Sequence, residues 1–136
     1  MRFLFLALKV KKRFLEEKQV QLKGLNRTLS LLLDKKKSIE QKLASLANLK
    51  ISNPFFGVVA SEFRLYLIKE LQKTVSEIEE VEKKIENLKR SIQVLNAEVK
   101  LLEKKISEKE RERLKREEVA LERLVNIVSS GRSVGR

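Results

Sequence analysis

Between Val81 and Ile106 the apolar residues advance by fours and threes without a miss: Val81, Ile85, Leu88, Ile92, Leu95, Val99, Leu102 and Ile106. At 3.6 residues per turn this spacing draws one narrow apolar seam along a helix, with Glu, Lys, Asn and Arg on the remaining surface. A seam of that width is too thin to face a globular core. It calls for a partner helix, because side chains at the two alternating positions insert as knobs into a facing helix.

The partner is encoded upstream. From Leu15 the stripe runs through Leu22, Leu25, Leu29, Leu32, Ile39, Leu43 and Leu46, with Lys18 and Lys36 as polar interruptions. Only Gly24 opposes helix there, at about 1 kcal/mol relative to Ala. A second apolar face of Phe3, Leu6, Val10 and Phe14 crowds the first turns. Near Ile78 to Val81 two steps of three follow one another, which predicts a stammer and local overwinding.

The one strong break is Ile51-Ser-Asn-Pro-Phe-Phe-Gly-Val-Val-Ala, which holds the single Pro and an internal Gly. Asn53-Pro54 ends the first helix by the pre-proline restriction, and Ser61 with Glu62 reads as the N-cap of the second. The expected architecture is all-α: a long antiparallel two-helix coiled-coil hairpin, monomeric, forming a single domain over 1–128. Its helices cover about 3–50 and about 61–128, the turn about 51–60, and 129–136 is a disordered tail. Phe55, Phe56, Val58 and Val59 either fold over the hairpin end and plug the seam or form a contact site. Residue 3 falls beside about residue 107, so the second helix runs on beyond its partner. It carries a charged stretch, Ser107 to Glu118, and then an apolar patch of Val119, Leu121, Leu124, Val125, Ile127 and Val128. Apolar patches rimmed by charge mark binding surfaces.

Composition narrows the chemistry. The 136 residues include no Cys and no His, and 37% are charged. Disulfides, thiolate nucleophiles, Cys/His metal sites and histidine acid–base chemistry are excluded, and the carboxylates lie on solvated helix faces. No catalytic, cofactor or metal site and no small-molecule substrate is expected. The net charge of +12 is concentrated early: residues 1–50 hold 13 basic against 4 acidic side chains. Such a field attracts acidic protein surfaces, anionic membranes or nucleic acid alike. The opening Met1-Arg-Phe-Leu-Phe-Leu-Ala-Leu stops at four bases within residues 9–13, too short for a signal h-region or a bilayer span. A soluble cytoplasmic protein is expected.

The two ends carry a family resemblance. Phe3, Phe5, Leu8, Lys12, Leu15, Glu16 and Glu17 follow the opening pattern of the flagellar export protein FliJ and its injectisome counterparts in type III secretion. Tyr66, Leu67 and Leu71 resemble that family's second-helix motif. Lys109, Glu112 and Leu114 fit its C-terminal theme in part; position 117 is Glu where the theme has a base, and Arg116 stands one place early. The resemblance implies a stalk whose paired ends, with Phe3, Phe5, Leu8, Lys12, Lys109, Glu112, Leu114 and Arg116, enter a hexameric export ATPase. It also implies contact with the cytoplasmic domain of an export-gate membrane protein through Leu67, Leu71, Thr74 and Ile78, contact with export chaperones, and peripheral association with the inner membrane.

Two other readings compete. A prefoldin-like coiled-coil chaperone subunit shares the paired helices but needs a β-hairpin, for which ten linker residues are scant. A basic nucleic-acid-binding coiled coil would use the early charge, yet the aromatic residues are not interleaved with the bases as a stacking platform requires. A freely dimerising parallel coiled coil is the remaining possibility.

Overall fold

The computed structural model describes residues 1–49 and 53–134, with side chains placed as far as Ser130. Two α-helices account for almost all of it: α1, Arg2–Ala47, and the longer α2, Pro54–Val134. They pack against one another, as the two seams require, and no strand occurs among the described residues. The β-hairpin of a prefoldin-like subunit therefore has no counterpart in them. The chain divides into two compact units: unit 1, Met1–Leu15 with Val94–Arg136, and unit 2, Glu16–Gln93. A helical hairpin is quasi-one-dimensional, so each residue meets only neighbours at its own height.

In unit 2 the inner positions of α1 are Lys18, Leu22, Leu25, Leu29, Leu32, Lys36, Ile39, Leu43 and Leu46, all at least half-covered. Those of α2 include Leu67, Thr74, Ile78, Val81, Ile85 and Leu88, which are buried. Lys35 Nζ lies 3.8 Å from Glu70 Oε2, while Leu46 and Leu49 share a groove with Phe63, so rising α1 numbers meet falling α2 numbers. The pairing is antiparallel. Each buried aliphatic side chain here is worth about 1.5–3 kcal/mol relative to exposure, an upper figure because the unfolded chain is itself partly collapsed.

The stammer expected near Ile78 does not occur. Thr74 is fully buried at the seam, so the steps run Leu67, Leu71, Thr74, Ile78, Val81 in unbroken fours and threes. Its hydroxyl donates to the Glu70 carbonyl at 2.7 Å. With that bond made, Thr behaves as a small β-branched seam residue.

The helix boundaries also differ from expectation. α1 stops at Ala47, its last turn tightened by Asn48 N–H to the carbonyls of Ala44 and Ser45 and by Leu49 N–H to Leu46. Expected residues 50–52 lie outside the described set. α2 begins at Pro54 rather than Ser61. Asn53 is its N-cap, with Phe55 N–H donating to Asn53 Oδ1 at 2.9 Å and Gly57 N–H to the Asn53 carbonyl at 3.1 Å. Pro at the first helical position has no donor to leave unpaired and its φ is preset, so Pro54 starts α2 instead of lying in a linker before it. At the far end α2 continues through 129–134 where a disordered tail is expected. Once a helix is nucleated each added residue contributes a hydrogen bond, and Gly131 opposes that by only about 1 kcal/mol.

Gly24 sits exposed in the middle of α1, and a Cβ built there meets nothing within 4 Å. Gly24→Ala is therefore expected to raise unfolding stability by about 0.5–1 kcal/mol through the backbone term alone. A urea titration with an unchanged slope and a higher midpoint would show it; a lower midpoint would mean that glycine serves a bend here.

Candidate partner-binding end

Unit 1 joins the start of α1 to the end of α2. Its inner row is Leu4, Leu8, Lys11 and Leu15 from α1 against Leu95, Val99, Leu102 and Ile106 from α2, each buried or half-covered. Lys11 continues the heptad as a cation whose ammonium pairs with Glu98 Oε2. That oxygen is buried, so the lysine is its counter-charge. Lys12 Nζ reaches Glu103 Oε1 at 3.6 Å. Eight residues back from Lys11 and eight on from Glu98 bring Phe3 beside Ile106, one place from the expected register.

The inner row consumes Leu8 but leaves Phe3 and Phe5 outside, Phe3 at 79% exposure. Leu6, Val10 and Phe14 are also exposed, so the second apolar face of α1 is uncovered. Beyond Ile106 only Glu110 remains half-covered, and every side chain from Arg111 to Ser130 is exposed. Lys109, Glu112, Leu114 and Arg116 all lie on the surface of this extension. Arg113 bridges Glu110 at 3.1 Å and Arg116 reaches Glu112 at 3.7 Å, one turn apart. Such pairs hold the exposed helix at about 0.2–0.5 kcal/mol each. The apolar residues from Val119 to Val128 stand open beside them.

Seven of the eight residues assigned to a ring contact are therefore on the surface of one unit, and Leu8 lies on its inner row. Glu98 and Glu103, which pair with Lys11 and Lys12, carry no signal in the local sequence; the antiparallel register is what sets these acids of α2 beside the α1 cations.

The residues expected at the gate contact lie on the inner row of unit 2. Leu67 is 3% exposed, Thr74 0% and Ile78 7%, with Leu71 half-covered on the same row. In the packed helix pair they line the seam. Their neighbours Phe63, Leu65 and Tyr66 are the exposed ones, with Phe63 and Tyr66 stacked at 6.3 Å between ring centroids. As a test, Thr74→Val should leave stability unchanged or raise it by up to about 1 kcal/mol, because the Glu70 carbonyl keeps its helical bond. A large loss on thermal melting would show that the hydroxyl does more than satisfy itself.

Among the described residues no group of acidic side chains is placed to hold a metal ion, and no helix is long and apolar enough to cross a membrane. Compared with known proteins, the chain matches no family model, no curated protein and no solved structure.

Proposed function

We propose that this chain is a stalk of a flagellar or related type III export system, which binds and stimulates a hexameric export ATPase through the end formed by unit 1. The observation that carries the reading is the join of α1's uncovered Phe3 and Phe5 to an α2 extension whose side chains from Arg111 onward are all exposed. A shaft within a ring must touch several subunits through a slim end. Apolar anchors set among paired charges suit a contact that holds and is remade as subunits turn over. Lys12, Lys109 and Arg116 would meet acidic surface on the ring, where charge chiefly raises the association rate.

In this reading the chain acts in the cytoplasm at the inner face of the membrane, linking the ATPase to the export gate and to substrate chaperones. The gate contact would use exposed residues of unit 2, not the seam residues Leu67, Leu71, Thr74 and Ile78. The test is to add purified full-length chain to a purified type III export ATPase. Raised turnover and a larger share of hexamer support the reading. Unchanged turnover at saturating chain, or nanomolar binding to DNA or RNA that survives physiological salt, would refute it.

A further inference from the structure

The first turns of α2 are apolar on nearly every side. Gly57, Ala60 and Leu67 face inward, while Phe55, Phe56, Val58, Val59, Leu65 and Tyr66 are exposed, Phe55 at 71% and Phe56 at 65%. At ~100° per residue the exposed set covers about half the circumference. One partner helix would take a stripe of roughly 100°. An occupant that surrounds the tip fits better than one that lies along it.

Charge and order along the axis say which. Residues 53–61 carry no charge; Glu62 follows, then the stacked rings of Phe63 and Tyr66 with Arg64 between them, and then Lys69, Glu70 and Lys73. On α1, Lys42 shares the groove of Leu46, Leu49 and Phe63. From residue 36 to 69 six basic side chains stand against two acidic ones. Apolar end, aromatic collar and basic collar follow the order of a bilayer interface bearing anionic headgroups. Phe55 to Val59 spans ~6 Å of helix axis, within the ~5–10 Å depth of interfacial insertion. Desolvation is eased because Pro54 has no N–H and the Phe55 N–H is taken by Asn53.

We propose that the start of α2 is a lipid-binding tip, inserting Phe55, Phe56, Val58 and Val59 into an anionic bilayer with Phe63, Tyr66, Lys42 and Arg64 at headgroup level. The proposal does not depend on the ATPase reading. A protein of net charge +12 adsorbs to any anionic surface, so the test must read insertion. The full chain carrying Phe56→Trp is mixed with phosphatidylcholine vesicles holding about one third phosphatidylglycerol and brominated acyl chains. The expected result is a blue shift and quenching, neither of which appears with Leu31→Trp, an exposed position on α1.

In flotation with unlabelled vesicles, the double variant Phe55→Ser, Phe56→Ser should lose affinity about 10- to 100-fold. Its melting temperature should hold, since neither ring is buried. Lys42→Glu with Arg64→Glu should weaken binding to anionic vesicles while leaving the little seen on neutral ones. Vesicle binding undiminished by the double serine variant, or quenching equal at residues 31 and 56, means surface adsorption and overturns the proposal. Self-association abolished by that variant, with no quenching at residue 56, would assign the tip to a second copy and overturn it equally.

Discussion

A chain cut after Ile106 should melt close to the full-length protein yet lose the stimulation of an export ATPase proposed above. The inner rows of both units end at or before Ile106, and Glu110 is the last half-covered side chain beyond it, so the cut removes no paired apolar residue. The deleted stretch holds Lys109, Glu112, Leu114, Arg116 and the open patch from Val119 to Val128. The fall in stimulation should reach 10-fold or more, about 1.4 kcal/mol in transition-state terms. Circular dichroism should show helical signal falling in proportion to the residues deleted. A truncated chain that still activates the ATPase fully would move the working end elsewhere.

Ile85→Asp should have the largest effect on stability. Ile85 is buried midway along the α2 seam. Removing its side chain alone costs about 2 kcal/mol or more, and an unpaired carboxylate in its place adds several more. Against a typical total of about 5–15 kcal/mol this should leave the hairpin largely unfolded at 37 °C. Leu101→Asp makes the same chemical change at an exposed position of α2 and should stay within about 0.5 kcal/mol. Equal loss from both would mean that helix propensity, not the seam, holds the chain together.

Most of this architecture could be read from residue spacing because a two-helix hairpin has only one interface and that interface repeats. The errors came where one residue has two physical readings. Pro54 forbids helix at Asn53 but is equally suited to begin one, and Phe-Phe-Gly-Val-Val-Ala looks like a linker because of its Gly and β-branched residues. Asn53 capping decides it, and capping is a geometry that composition does not display. Thr74 is polar, and leaving it off the apolar row turns a regular step into a stammer. Its bond to Glu70 removes the polarity.

At the candidate site the division is similar. Phe3 and Phe5 are exposed because the heptad phase excludes them from the seam, and Leu114 because no part of α1 covers α2 from Arg111 onward. Leu67 and Leu71 match a motif and a seam at once, and both lie on the inner row, Leu67 buried and Leu71 half-covered. The acids that fix Lys11 and Lys12 lie about ninety residues away in sequence and become visible only once the register is known.

The most direct test of the account is site-specific photocrosslinking to the assembled export ATPase, with the reactive group at Leu114 in one full-length chain and at Phe56 in another. Capture of ATPase subunits from Leu114 and none from Phe56 is the predicted result. Capture from Phe56 alone would place the ring contact on unit 2 and contradict the account.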